Sequence, residues 1–330
     1  MTTTAYGLGT FSAQDEPRFP GLVVDGIVAD LRPEFGEQAT TLTLLEDWDA
    51  NGVRLAKLAA AGVGDGAPID RLLAHPPVVS RQILCAGANN FTHVVEMAVG
   101  AMRARQDPRP EDELVAAARQ EARGLRDEEP FMFCVLPSSL CGAADDVVLW
   151  NPGTRHDWEV ELAVVIGRGG RDIPIARAME HVAGYTVAND VTARDLVARP
   201  PLPMSDLLRA KSRRTFLPTG PYIVPSAAVP DPVALRTTLK VNGDVMQDET
   251  LDDLIHGIDR LIAYASKVAE LYPGDLLLTG SPAGNAGAHG GRWLRPGDVM
   301  EAEIPGIGCL RNRCVADPAQ VSAGVRDDGV

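Results

Sequence analysis

Two glutamates stand one residue apart where an apolar segment begins, in Asp157-Trp158-Glu159-Val160-Glu161-Leu162-Ala163-Val164-Val165-Ile166-Gly167. Alternate strand side chains point the same way, so a strand here places Glu159 and Glu161 on one face. Two like charges beside a core are unfavourable unless something positive compensates them. A divalent cation would do so, and carboxylate oxygens select Mg²⁺, Mn²⁺ or Ca²⁺ over zinc. A solvated strand face is the competing reading. Asp190 offers a third carboxylate where the apolar run Val182–Ala188 opens into a loop. It could also cap a helical turn through Thr192-Ala193-Arg194.

His93 and Glu96 lie three residues apart and share a face if their segment is helical. A carboxylate beside an imidazole raises its pKa and orients the ring, which suits a base acting on water. A surface pair is the plainer alternative. Gly280-Ser281-Pro282-Ala283-Gly284 follows an apolar strand. Its glycines could bring backbone N–H groups against an oxyanion or carboxylate, or simply form a turn. It is no nucleophile elbow, because Pro282 follows Ser281. Lys211 sits among Arg209, Arg213 and Arg214, as a solvated basic loop or as a contact to a substrate carboxylate or enolate.

These groups need elements to position them. Residues 1–77 read as a small module with a hairpin around Asp25-Gly26 and a helix over 41–61 interrupted near Asn51-Gly52. Pro76-Pro77 marks a boundary, followed by a strand over 78–86. Residues 97–129 form an insertion whose charged, Ala-rich helix is either solvated or a mobile lid. Strands follow over 131–136 and 182–188. An apolar stripe from Leu251 to Leu271 predicts one long helix. Pro273-Gly274-Asp275 and Pro296-Gly297-Asp298 each lead into a strand, and 317–330 reads as a frayed tail.

The 330 residues allow one large domain or two smaller ones. A net charge of -14 argues against nucleic acid or an anionic membrane as partner. It leaves room for a small anionic substrate, since one metal or arginine reverses the sign locally. Five cysteines without a CxxC suggest reduced thiols and a cytoplasmic protein. No signal-peptide pattern or membrane-spanning apolar run is visible.

The ordered motifs resemble the fumarylacetoacetate hydrolase superfamily. They begin with Ile83-Leu84-Cys85-Ala86-Gly87-Ala88-Asn89 and the His93/Glu96 pair. They continue through Glu159–Gly167, Gly184–Asp195, Ala210-Lys211-Ser212, Gly220-Pro221, Val241-Asn242-Gly243 and Pro273–Gly284. The resemblance spans roughly residues 80–316. It implies an α+β, mostly β fold: a mixed β-roll or sandwich with few helices at 78–316, beside a small N-terminal α/β module, in a homodimer. It implies that Glu159, Glu161 and Asp190 bind Mg²⁺, with Mn²⁺ or Ca²⁺ accepted. His93 and Glu96 match the water-activating dyad, and Lys211 the lysine beside the metal. Arg194, Gly280 and Ser281 fall at substrate-binding positions.

The implied activity is hydrolysis of a C–C bond in a 1,3-diketo or acylpyruvate-type acid, with a metal-stabilised enolate and water activated by His93 and Glu96. A lyase or isomerase of the same superfamily is the alternative: a decarboxylase, a 2-keto-4-pentenoate-type hydratase or a tautomerase. A non-catalytic metal-containing binding protein is a further one. The chain departs from the family's pattern at Asn90, where Tyr is common, at Leu136-Pro137 for Lys-Pro, and at Val197 for a Gln.

Overall fold

The computed structural model describes residues 5–150 and 153–318. Its central strand is Val160–Ile166, buried at every residue. It pairs antiparallel with Val182–Asn189 on one side and Leu276–Leu278 on the other. Core packing on both faces explains the nearly unbroken apolar run. Even-numbered Leu162, Val164 and Ile166 pack with Tyr185 and Val187, and with Leu239, Met300 and Ala302 of a five-stranded second sheet. Odd-numbered Ala163 and Val165 pack on the other face with Leu45, Val78 and Leu278. Glu159 and Glu161 fall in this odd set.

Register assembles the acidic residues. Val160 stands opposite Asn189 and Glu161 opposite Ala188. The Asp190 N–H donates to the Glu159 carbonyl at 2.9 Å, which extends the pairing by one step. Glu159 and Asp190 therefore meet at one end of the strand pair. Thr192–Ala193 forms a two-residue strand with His156–Asp157, so Asp190 does not cap a helical turn.

The N-terminal segment is built into the same sheet. Gly7–Ser12 pairs with Phe19–Val24, and Leu8 stands opposite Ile223 of the strand Leu217–Pro225. Asp25 and Gly26 both have positive φ, 48° and 78°, as the tight hairpin turn requires. The helix over 41–61 breaks at Asp47, between Thr41–Glu46 and Trp48–Ala61, rather than at Asn51-Gly52. The Asn51 amide donates to the Leu44 carbonyl at 3.0 Å and satisfies the broken end.

The long helix expected over 251–271 is only Ile258–Val268, preceded by a 3₁₀ turn at Leu251–Asp253. Tertiary hydrogen bonds override the stripe. The Ile255 and His256 N–H groups donate to the Asn89 carbonyl and side-chain oxygen at 2.8 and 2.9 Å. Asp253 accepts the Thr92 N–H at 2.8 Å. The strand expected over 78–86 is confined to Ile83–Ala86.

Two helices, Phe91–Ala104 and Glu111–Gly124, form a hairpin. Val99 packs against Leu114 and Ala118, so the second helix is not solvated on all sides. Glu111, Asp112 and Glu113 occupy its first turn, where the helix dipole favours them. All five cysteines are free. Eight α-helical segments occur among the described residues, and none is long and apolar enough to cross a membrane. Of the expected tail, residues 319–330 lie outside the described residues.

Candidate metal centre and adjoining cavity

Glu159, Glu161 and Asp190 each place an oxygen within 4.8 Å of the other two. All three are buried, at 7%, 2% and 1% exposure. Oxygens bound to one Mg²⁺ or Ca²⁺ at about 2.0–2.6 Å are separated by no more than about 5 Å, so the spacing suits a shared cation.

Two cations, the buried Lys211 and the half-buried Arg194, partly compensate the cluster. The Lys211 ammonium donates to Glu159 at 2.7 Å and to Asp190 at 2.6 Å. It is 4% exposed, on the short helix Leu207–Lys211, and not in a solvated loop. Arg194 donates through Nη2 to Glu159 and through Nε to Asp157 at 2.8 Å. The Gly280 N–H donates to Glu161 at 2.6 Å. Four carboxylates thus face two cations, which leaves two negative charges when all are ionised.

The proton affinities reflect this imbalance. Burial alone would raise Glu159, but Arg194 and Lys211 overcome it and hold the carboxyl at about 2. Glu161 has no cation within hydrogen-bonding distance. Burial and the neighbouring Asp190 and Glu159 charges push it well above the carboxylate range. Burial raises Asp190 to about 6 despite Lys211. Its Oδ1 is buried with no hydrogen-bond partner. An orphaned oxygen, and two surplus charges when all four carboxyls are ionised, are features that a divalent cation would resolve, so the residues fit one.

His93 and Glu96 share the helix Phe91–Ala104, capped by the Asn90 side chain, which accepts the His93 N–H at 3.1 Å. The two are not joined by a hydrogen bond. Glu96 accepts the Gly284 N–H at 3.3 Å, and the His93 Nδ1 is buried and unpartnered. Burial lowers the imidazole to about 4, opposite to the rise expected from an adjacent carboxylate. His93, Glu96, Arg194 and Asp157 line a cavity of about 630 Å³ with the helix hairpin and the segment around Asn285 and Trp293. His93 and Arg194 connect the cavity to Glu159, which Arg194 bonds directly.

Gly280 and Ser281 lie beside the cluster but are already engaged. Gly280, at φ 101°, spends its N–H on Glu161. The Ser281 hydroxyl accepts from the Gln247 amide at 2.9 Å. Gln247 also accepts the Val160 N–H at 3.0 Å, tying this loop to the acidic strand. Val197 packs against the main core. Sequence reasoning missed Gln247 and Asp157. Asp157 was detectable, because it continues the alternation of Glu159 and Glu161.

The comparisons with known proteins agree with this arrangement. The human mitochondrial oxaloacetate tautomerase FAHD2B is 40% identical over 189 residues, 57% of this chain and 60% of that protein. The chain thus spans about three fifths of that relative's length. The 5-carboxymethyl-2-hydroxymuconate delta-isomerase of Mycobacterium smegmatis superposes with a TM-score of 0.67 at 27% identity, covering 94% of this chain and 99% of that one. A fumarylacetoacetate hydrolase from Exiguobacterium antarcticum does so with a TM-score of 0.70 at 27% identity, covering 94% and 100%. The family model described as fumarylacetoacetate (FAA) hydrolase C-terminal matches residues 82–315, and the chain belongs to the fumarylacetoacetate hydrolase family.

Proposed function

We propose that this protein is a divalent-metal-dependent tautomerase or isomerase of 2-oxo acids, shifting a proton between carbon and oxygen beside the keto group. The observation that carries this reading is the lone His93. It stands at the cavity wall, and Glu96 is turned to Gly284. A proton shift needs one group that takes a proton from one atom and returns it to another. A neutral imidazole with a free ring nitrogen can do both. Activation of water by a His–Glu dyad asks for a carboxylate bonded to the imidazole, and Glu96 instead accepts the Gly284 N–H.

Glu159, Glu161 and Asp190 would hold Mg²⁺ or Mn²⁺, whose Lewis acidity toward the carboxylate and keto oxygens of a 2-oxo acid would acidify the neighbouring C–H bond. Lys211 keeps Glu159 and Asp190 ionised and in place. Arg194, forked between Asp157 and Glu159, contributes a fixed guanidinium to the cavity lining. The names of the human and mycobacterial relatives support the same class.

Hydrolysis of a 1,3-diketo or acylpyruvate-type acid is the second reading. The unpartnered His93 Nδ1, one helical turn from Glu96, favours it, because a rotated Glu96 would find a partner there. One experiment separates the two. The protein is incubated with Mg²⁺ and enolic oxaloacetate, acylpyruvates or 2-hydroxydienoates, while enol absorbance and product mass are followed. Enol loss without a change in mass supports the proton shift. Two carboxylic products from an acylpyruvate move the assignment to hydrolase. No change with any substrate refutes both.

A further inference from the structure

We infer that the substrate carries, beyond its 2-oxo acid end, an uncharged apolar group that fills the cavity, and that a second carboxylate is selected against. This inference rests on the 2-oxo acid reading above. Size is the first argument. The cavity measures about 630 Å³. The nine non-hydrogen atoms of oxaloacetate occupy at most about 270 Å³, even at a water molecule's liquid volume each. More than half of the space would stay unfilled.

The wall supplies the second argument. Val95, Val99, Val115 and Trp293 line the cavity as aliphatic and aromatic surface. Its cations are committed elsewhere. Arg194 is held by Asp157 and Glu159. Arg103 pairs with Glu111, both of them more than half exposed. Glu96 adds a further carboxylate to the lining. Among the described residues that line the cavity, two guanidinium groups thus face three carboxylates: Glu96, Glu111 and Asp157. A second substrate carboxylate would face a net negative wall whose arginines are already paired. Each buried methylene, by contrast, should tighten binding about fourfold. The substrates named for the human and M. smegmatis relatives carry more than one carboxylate, so this chain would differ from them in specificity.

Gly100 offers a direct test. It lines the cavity, and a Cβ built there meets nothing within 4 Å. A Cβ can therefore be added there without displacing a neighbour. Binding of the series 2-oxobutanoate, 2-oxohexanoate, 2-oxooctanoate and 2-oxoglutarate, whose keto forms predominate at equilibrium, is measured by calorimetry with Mg²⁺ present. Turnover of acylpyruvates of rising chain length is compared with that of oxaloacetate in parallel. The expected result is affinity rising about fourfold per methylene. 2-Oxoglutarate should bind at least tenfold more weakly than 2-oxohexanoate. Gly100→Arg should improve the diacid-to-monoacid ratio by tenfold or more, with Gly100→Ala as the folding control and Val115→Lys as an independent second site. Equal or tighter diacid binding, or a ratio unmoved by both cationic variants, overturns the inference and leaves the 2-oxo acid reading intact. Failure of every 2-oxo acid to bind or react overturns that reading and this inference with it.

Discussion

Lys211→Met removes a buried ammonium and keeps most of the side-chain volume. In the metal-free protein the change leaves Glu159 and Asp190 without the donor that bonds them at 2.7 and 2.6 Å. Taking one partner from a buried charge cluster costs about 3–5 kcal/mol. At about 2–3 °C per kcal/mol for a chain of this length, the melting midpoint near neutral pH should fall by about 6–15 °C. The sign of the pH effect follows from linkage. Without Nζ, Asp190, which burial already raises, ionises at still higher pH in the folded state, whereas Glu159 keeps Arg194. A group raised in this way favours the fold most below its unfolded pKa and progressively less as pH rises through the folded one. The deficit should therefore shrink as the pH is lowered toward about 5. A divalent cation supplies positive charge to the same oxygens, and at a hundredfold excess over its Kd it adds about 2.7 kcal/mol. Melting in chelator and in excess Mg²⁺ is the assay, and the metal-induced rise should be larger in Lys211→Met than in the parent. A variant that melts within about 2 °C of the parent in chelator, with no larger response to metal, would refute the shared charge cluster.

Two further outcomes follow from the same geometry. His93 is depressed by burial from 6.5 to about 4, so acidification protonates the unfolded chain first, and roughly 3 kcal/mol of stability is lost between those values. Urea unfolding of metal-saturated protein near neutrality and at about pH 5 should show about 2 kcal/mol of that loss, and His93→Gln should flatten it; an equal loss in the variant assigns the proton uptake elsewhere. Asp157→Asn leaves Arg194 held by Glu159 alone. It should lower kcat about ten- to hundredfold through misplacement of the guanidinium, with KM changing much less, whereas an unchanged kcat would show that Asp157 is a structural anchor only.

The acidic strand was legible because its pattern is local. Alternation places Glu159 and Glu161 on one face, and the uniform burial of Val160–Ile166 puts that face inside the protein. The turn at Asp25-Gly26 and the strands after Pro273 and Pro296 were legible for similar local reasons. What the sequence concealed depends on distant partners. Leu254 and Ile255 fit a helical stripe, yet Asn89 and Asn90 draw them into an extended segment. Lys211 looks like its arginine neighbours until the short helix Leu207–Lys211 turns it toward Glu159. The spacing of His93 and Glu96 is helical as expected. It cannot show that Gly284 captures the carboxylate, because the loop carrying Gly284 arrives from the far end of the chain.

The charge count distinguishes this centre from a structural ion-pair network. A network built for stability would match cations to carboxylates, because an unpaired buried charge is strongly unfavourable. Here Glu159 takes both cations, Asp190 shares one of them, and Glu161 receives only a backbone N–H from Gly280. That donor sits at φ 101°, a conformation that favours glycine, so the turn itself is shaped to meet Glu161. Burial and repulsion push the Glu161 carboxyl up, and the Asp190 Oδ1 has no partner. A divalent cation removes both defects with one ion. The same surplus of negative charge that lowers the stability of the metal-free fold is what draws the cation in. The charge repulsion that disfavours the fold would thus be relieved by a bound cation, and local rules are broken where function requires it.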